Sequence, residues 1–193
     1  GLADPTPATR IIAVQSGALP NWKGVTYSPF NLVTPTVVTN PVLKASDITG
    51  VSARFVADTF LYYESNTWYM FTEIYNNSNN QGDLTVATSS DGLHWAYQQI
   101  VLNETWHLSY PYVFKFNGTY YMIPETYQLN EIRVYKATNF PSTWSYVATL
   151  VSGKDFVDPS IFRYNNTWWM FVSDTTNSNC YLYYSNSLTS GWI

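Results

Sequence analysis

Charged residues are scarce in this sequence. They make up 11% of the 193 residues, whereas a typical soluble chain has roughly 25%. The nine Lys and Arg are scattered and the net charge is −4, so the chain has no basic patch for nucleic acid. No apolar run approaches the roughly 18 residues that a membrane-spanning helix needs. We therefore expect neither nucleic acid as a partner nor a membrane span.

Cysteine is nearly absent as well. Cys180 stands alone, so no internal disulfide can form, and we expect this residue to be buried as a small apolar side chain. The sequence also lacks the spacing of zinc ligands, a phosphate-binding loop and a serine-nucleophile elbow. We therefore predict no metal and no other cofactor.

Aromatic residues are abundant, at 18% with 17 Tyr and 8 Trp. Such side chains suit a pleated sheet, so the composition favours an all-β protein. Many Tyr, Trp and Asn with little charge also suit sugar binding, which combines apolar ring contact with oriented polar groups. Carbohydrate is therefore the expected partner.

Four Asn residues stand in N-x-[ST] acceptor sites for N-glycosylation: Asn76, Asn103, Asn117 and Asn165. Asn117 and Asn165 fall in predicted hairpin tips, where a glycan disturbs no packing. This placement predicts a secreted, extracellular glycoprotein.

An internal repeat organises the chain. A turn Thr followed three residues later by Met recurs at intervals of 52 and 48 residues, and a later Trp recurs at 49 and 48 residues. These markers are Thr67, Thr119 and Thr167; Met70, Met122 and Met170; Trp95, Trp144 and Trp192. Each copy has four short strand patterns, and four strands in about 50 residues are typical of a β-propeller blade. A β-sandwich with coincidental similarity is the alternative, but sandwiches do not repeat at a fixed spacing.

The predicted blades are residues 56–102, 108–151 and 156–193 of a propeller spanning 51–193. Residues 1–50 lack the repeat and read as an extended arm or closing segment. Three blades do not close a ring, and the third stops just after Trp192. The chain is therefore either part of a longer protein or completed by another chain, with self-assembly as a further alternative.

Aligning the copies on the turn Thr places acidic residues at equivalent positions. Asp58, Tyr110 and Asp158 align on the first strands, and Glu73, Glu125 and Ser173 align at the ends of the second strands. First strands line the axis of a propeller, so we expect these side chains to converge. Two carboxyls at one mouth are what glycoside hydrolysis requires, one as acid and one as base or nucleophile.

Several runs carry a family resemblance. They are FVADTFL (55–61), WYMFTE (68–73), SSDGLHW (89–95), HLSYPYVF (107–114), PE (124–125) and FVDPSIF (156–162). The first three resemble the arabinanase/invertase/levansucrase superfamily of five-bladed propellers. The last three are more similar to the propeller domain of plant glucosamine inositolphosphorylceramide transferases. The resemblance implies a five-bladed, glycosidase-like fold over about residues 40–193.

The same resemblance implies roles for individual residues. Asp58 matches the base or nucleophile, and Glu125 and Asp158 complete the candidate catalytic set. Tyr110 stands where the superfamily has Asp, which is a departure from the pattern. The candidate substrate-binding residues are Tyr110, His107, Tyr112, Trp106 and Glu73.

Two functions remain open at the level of sequence. One is an enzyme that hydrolyses or transfers sugars through these acids, and the other is a non-catalytic structural or assembly-forming glycoprotein. Carboxyls that face one open site favour the first, whereas acids bonded into local turns favour the second.

Overall fold

The structure, a computed structural model, describes residues 36–193 and the backbone of two short strands, β1 (Ile11–Val14) and β2 (Phe30–Val33). These two strands pair antiparallel. The chain divides into two compact units, Gly1–Leu43 and Lys44–Ile193. The larger unit carries the repeat. The predicted arm, residues 1–50, lies partly outside the described residues and stays a prediction.

Three antiparallel sheets make up the larger unit, and each corresponds to one copy of the repeat. The first sheet (blade 1) contains β3 (Ala53–Glu64), β4 (Thr67–Asn76), β5 (Gln81–Ser89) and β6 (Ala96–Leu102). The second (blade 2) contains β7 (Ser109–Phe116), β8 (Thr119–Glu125), β9 (Glu131–Asn139) and β10 (Thr143–Ser152). The third (blade 3) has three strands, β11 (Phe156–Tyr164), β12 (Thr167–Asp174) and β13 (Cys180–Ser185). The all-β propeller fold predicted from the repeat is confirmed.

Each first hairpin closes over a two-residue turn. The turn residues all have positive φ, from 47° to 79°: Ser65 and Asn66, Asn117 and Gly118, Asn165 and Asn166. Two consecutive positive φ values define the type I′ turn, whose twist matches that of the paired strands. Asn and Gly tolerate this conformation best, which explains their recurrence at these tips.

The first strand of each blade has a β-bulge at an equivalent position, and β3 has a second register shift nearer its start, between Ala53 and Val56. The residues at the equivalent position are Asp58 (φ 50°), Tyr110 (φ 49°) and Asp158 (φ 55°), and the pairing register shifts at each of them. Positive φ is uncommon for residues other than glycine and costs backbone strain. A bulge redirects a side chain. Each of the three blades therefore has backbone strain at an equivalent position, where one side chain is redirected.

Apolar side chains fill the spaces between successive blades. Phe71 and Val86 of blade 1 pack with Met122 and Tyr135 of blade 2. Ile123 and Val134 of blade 2 occupy the matching places and pack in a second cluster, which includes Met170 of blade 3. The cores therefore lie between sheets, as blade stacking requires.

The recurring tryptophans share one role. The indole N–H of Trp95 donates to the Gly92 carbonyl, that of Trp144 to Pro141, and that of Trp192 to Leu188. Each therefore fixes the loop that follows the third strand of its blade, which explains why Trp recurs with the repeat.

One expectation fails on burial. Cys180 is exposed, because it begins β13, a strand that pairs with β12 alone among the described strands. Asn76 is buried at 4% exposure, and its amide donates to Asp83 Oδ2 at 2.8 Å. Glycosylation at Asn76 stays a prediction. Asn103, Asn117 and Asn165 are exposed.

No helix within the described residues is both long and apolar enough to cross a membrane.

Candidate functional site

In blades 2 and 3 the backbone N–H of the bulge residue donates a hydrogen bond to an acid of the preceding blade. The Tyr110 N–H donates to Asp58 Oδ2 at 3.2 Å, and the Asp158 N–H donates to Glu125 Oε2 at 3.2 Å. In both cases the donor belongs to the next blade along the chain. These acids are thus held between blades and not within local turns.

Four carboxyls form one electrostatic cluster, which we call the acid cluster: Asp58, Glu73, Glu125 and Asp158. Loss of hydration above all, and in smaller part the charge of Asp58, raises the pKa of each of the other three. Asp58 and Asp158 are exposed, whereas Glu73 and Glu125 are buried. These are the four acids that the sequence alignment put at the first strands and at the ends of the second strands, and their roles stay a prediction.

Glu73 and Glu125, the acids at the ends of the second strands, occupy equivalent positions in the strand pairing of their blades. Glu73 pairs with Ala57 and Glu125 pairs with Ser109, in each case beside the residue that precedes the bulge. In blade 3 the corresponding residue is Ser173, opposite Val157. The repeat therefore presents a carboxyl from β4 and from β8 but a hydroxyl from β12.

Glu73 is the most perturbed acid of the cluster. Burial above all, together with the charges of Asp58 and Glu125, raises its pKa to about 8. Its Oε1 atom is buried and makes no hydrogen bond within residues 36–193. The nearest cationic candidate is His107, whose Nε2 lies 3.5 Å from Oε1. At neutral pH Glu73 is therefore protonated in a large fraction of molecules.

Glu125 and Asp158 behave as a coupled pair. Burial raises the pKa of Glu125 to about 7, although hydrogen bonds from the Asp158 N–H and the Ser109 side chain favour its charged form. Partial loss of hydration and the charge of Asp58 raise the pKa of the exposed Asp158, and a hydrogen bond with the Glu125 side chain opposes that rise. The pair therefore tends to hold a proton near neutrality.

His107 is fixed in one tautomer. The Gly82 N–H donates to Nδ1 at 2.9 Å, so the ring proton is on Nε2, which faces Glu73. Burial lowers the pKa of His107, against the charges of Asp58 and Asp83. The backbone N–H of His107 donates to Gln128 Oε1 at 2.9 Å. His107 therefore reaches the acid cluster as a neutral ring that offers one N–H.

The predicted aromatic residues have different places. The Tyr110 hydroxyl lies 3.0 Å from Ser160 Oγ, and its ring packs on Phe60 at 4.7 Å, so Tyr110 links all three blades. Tyr112 is half-buried and also contacts the Phe60 ring, at 5.4 Å. The Arg133 guanidinium lies 5.1 Å from the Trp106 ring centroid, so this ring already has a partner away from the acids.

Sequence reasoning missed Ser109, Ser160 and Gly82. A Cβ on Gly82 would lie 2.2 Å from the Leu108 carbonyl oxygen and 2.7 Å from Glu73 Oε1, so only glycine fits there. An isolated glycine within a strand pattern signals such a close approach. The two serines carry no comparable signal, because serine is common throughout the chain.

Among the described residues, no three His, Cys, Asp or Glu side chains are arranged to hold a metal ion.

Comparisons with known proteins give the chain its family. Residues 31–193 match the family model described as glucosamine inositolphosphorylceramide transferase 1, N-terminal. The protein of that name from Oryza sativa subsp. japonica is 42% identical over 164 residues, which cover 80% of this chain and 22% of the relative. The Arabidopsis thaliana protein is 37% identical over 164 residues, covering 80% and 21%. The chain therefore spans about a fifth of the length of these relatives.

Solved glycosidases share the fold. An exo-β-1,3-galactanase from Clostridium thermocellum superposes with a TM-score of 0.68 at 17% identity, covering 85% of this chain and 39% of that one. An α-L-arabinanase from Cellvibrio cellulosa gives 0.55 at 14% identity, covering 72% and 55%. At such identities the similarity shows the propeller fold alone. The family match and the sequence identities place this chain in the family of glucosamine inositolphosphorylceramide transferase 1 N-terminal domains.

Proposed function

We propose that the acid cluster is a carbohydrate-binding site, in which the exposed carboxylates of Asp58 and Asp158 accept hydrogen bonds from sugar hydroxyls. The observation that carries the proposal is that hydrogen bonds between blades hold these acids, from the Tyr110 N–H to Asp58 and from the Asp158 N–H to Glu125, each at 3.2 Å. The relatives are named glucosamine inositolphosphorylceramide transferases, and a sugar-transferring relative supports a glycan ligand. The chain then serves as the sugar-binding part of a larger sugar-transferring protein.

The cellular setting is part of the same proposal. Asn103, Asn117 and Asn165 are exposed acceptor sites, which supports a secreted or lumenal domain that carries N-glycans. Intact mass before and after enzymatic glycan removal, on protein from a eukaryotic host, tests this. A mass loss that disappears in Asn→Gln variants of these three sites supports the setting.

A panel of sugars tests the binding function. Saturation-transfer NMR with glucose, galactose, arabinose, N-acetylglucosamine and myo-inositol should give signals for at least one of them. Asp58→Asn and Asp158→Asn should abolish those signals. Asp47→Asn is the matched control, because Asp47 caps a short turn at residues 44–47. Signals that persist in both site variants would place the binding elsewhere.

Sugar cleavage is the second candidate, and the state of Glu125 favours it. A carboxyl with a pKa of about 7 can hold and then give up the proton that a glycosidic oxygen needs, while a second carboxylate acts as base or nucleophile. Asp58 would take the second role. Release of reducing sugar from an oligosaccharide panel, lost in Glu125→Gln and kept in Glu64→Gln, would establish cleavage.

A further inference from the structure

One face of blade 3 carries a run of exposed apolar and aromatic side chains. Phe162, Tyr164, Phe171, Leu182 and Tyr184 are between 42% and 64% exposed. Alternate residues of a strand share one face, and these five lie on the face opposite to the one that packs on blade 2. A soluble protein rarely leaves so continuous an apolar surface open. This face, which we call the open face, therefore has the character of an interface.

The positions of the open face are buried in the other two blades. Cys180 and Phe171 are exposed on blade 3. Their equivalents in blades 1 and 2 are at most 1% exposed: Leu84 and Ile132 for Cys180, Phe71 and Ile123 for Phe171. The next blade along the chain provides the cover in both blades. Blade 3 lacks such a cover among the described residues.

A cation from the next blade recurs at one position of the covered faces. Lys115 of blade 2 pairs with Glu64 of blade 1. Arg163 of blade 3 lies over the Phe116 ring of blade 2, 5.3 Å from its centroid. Glu64 and Phe116 are equivalent in the repeat to Tyr164. Because an aromatic ring attracts a cation over its face, the Tyr164 ring suits a Lys or Arg side chain from a further blade.

An aromatic contact recurs beside the cation. The Tyr120 ring packs on Tyr62 at 5.8 Å. The Trp168 ring packs on Phe114 at 5.6 Å. Tyr120 and Trp168 both directly follow the turn Thr of their blades. Phe162 is the blade 3 equivalent of Tyr62 and Phe114, so a partner of blade 3 should supply an aromatic ring there.

The free edge of blade 3 begins a fourth strand in the register of blade 1. Ile193 exchanges two backbone hydrogen bonds with Tyr184, at 3.0 and 3.1 Å. Ala96, the first residue of β6, pairs with Thr88 at the equivalent place of blade 1. The N–H and carbonyl of Leu182, two residues from Tyr184, point to the same edge. A fourth strand can therefore continue along β13 from this pair.

We propose that the open face and the edge of β13 bind a further blade of the same repeat, one that has Lys or Arg four residues before its turn Thr, an aromatic residue directly after that Thr and Met three residues after it. Blade 2 presents this set to blade 1 as Lys115, Tyr120 and Met122. The first blade of a second copy does not match, because it has Tyr63 in place of the cation. The relatives have length for such a blade, since the matched residues cover about a fifth of them.

Maleimide labelling of Cys180, the single cysteine of the chain, reports whether the open face is covered. The probe is the 193-residue chain extended after Ile193 by a second copy of its residues 97–151, which supplies a fourth strand and a blade with the required set. Labelling should be at least about tenfold slower in the extended chain than in the unextended chain, because the interface must open first.

The matched control carries Lys115→Glu and Tyr120→Ser in the added copy alone, and its Cys180 should label as quickly as that of the unextended chain. If the extended chain lacks the circular dichroism of a folded β protein, the full-length Oryza sativa relative replaces it. Hydrogen exchange of the strand aligned with β13 should then be at least about tenfold slower than in that protein truncated at the end of the matched region.

The outcomes that would overturn the proposal are distinct. Equal rates with and without the further blade would show that the open face binds no such sheet. Protection that survives in the control would show that the cation and the aromatic ring do not select the partner. Slow labelling of Cys180 already in the unextended chain would give the face to residues 1–35 or, where dilution speeds labelling, to a second copy.

Discussion

The carboxyl of Glu73 is enclosed by Gly82, His107 and the other acids of the cluster. Its Oε1 lies 3.5 Å from His107 Nε2 and would lie 2.7 Å from a Cβ at position 82. Both contacts depend on the backbone of β5 approaching the segment before β7, where the Leu108 N–H donates to the Gly82 carbonyl at 3.0 Å. The missing side chain of Gly82 thus allows the close approach of Glu73 and His107.

Gly82→Ala should therefore disturb both fold and site. The added Cβ would lie 2.2 Å from the Leu108 carbonyl oxygen and 2.8 Å from His107 Cε1, so backbone must shift, at a cost of about 1–3 kcal/mol in the free energy of unfolding. Urea denaturation measures the loss, and the His107 ring signals in NMR should move. Gly118→Ala is the control for the ring signals: its φ of 79° strains any side chain and lowers stability, but its Cβ meets no atom within 4 Å, so the His107 signals should stay in place. Unchanged His107 signals in Gly82→Ala would contradict the close approach.

The raised pKa values make stability depend on pH. Glu73 titrates at about 8 in the folded chain, above its ordinary 4.5, so between these values the folded state binds more protons than the unfolded state. Stability then falls as pH rises from 5 to 9. We expect Glu73→Gln to lessen that fall by at least about 2 kcal/mol, given about 1.4 kcal/mol per pKa unit. Urea denaturation across this range measures it, with Glu64→Gln as control. Parallel curves for wild type and Glu73→Gln would contradict the raised pKa.

The positions of the acids could be predicted from the sequence, but which of them has the largest pKa rise could not. Alignment of the repeat brought Asp58, Glu125 and Asp158 together and placed Glu73 beside them as a lesser, substrate-binding residue. The structure gives Glu73 the largest pKa rise, because that rise comes from burial. Burial of one carboxyl depends on contacts with Gly82 and His107, which lie 9 and 34 residues further along the chain and form no local pattern.

At the scale of the strand, the informative feature is the bulge in β3, β7 and β11. The hairpin turns and the four-strand unit could be predicted, since Asn/Gly pairs and alternating aromatics are local signals. The start of β3 could not be predicted, because its pattern breaks at the bulge. The first blade was predicted to start at residue 56, whereas β3 begins at Ala53, which pairs with Asn76 beyond the register shift.

Strain at the bulge predicts different effects for two substitutions of Asp58. Asn tolerates positive φ almost as well as Asp, whereas Ala does not. Asp58→Ala should therefore lose about 1 kcal/mol of stability, while Asp58→Asn stays within about 0.5 kcal/mol of wild type. Both variants should lose sugar binding. Thermal or urea unfolding with sugar titration measures both effects, and equal stability of the two variants would contradict strain at residue 58.

At the scale of the whole larger unit, the three blades have apolar residues at equivalent positions but differ in how far those residues are buried. Phe71, Ile123 and Phe171 are equivalent in the repeat. Phe71 and Ile123 are fully buried at blade interfaces, whereas Phe171 is 42% exposed. Its neighbour Leu182, opposite it on β13, is 48% exposed. The face of blade 3 that contains Phe171 and Leu182 thus has side chains of the kind that form a blade interface.

This difference predicts unequal costs for the same substitution. Phe71→Ala removes a buried ring from the first interface and should cost about 3–5 kcal/mol. Phe171→Ala removes a partly exposed ring and should cost about 1 kcal/mol or less in the 193-residue chain. Urea unfolding of the two variants measures the difference. Similar losses would show that the face of blade 3 is covered in solution.

A crystal structure of the chain soaked with a sugar that gives saturation-transfer signals is the most direct test of the acid cluster as a sugar site. We expect a sugar ring with hydroxyl oxygens about 2.6–3.0 Å from the carboxylates of Asp58 and Asp158. A sugar bound elsewhere, or acids that contact only protein and water at a saturating concentration of that sugar, would contradict the account.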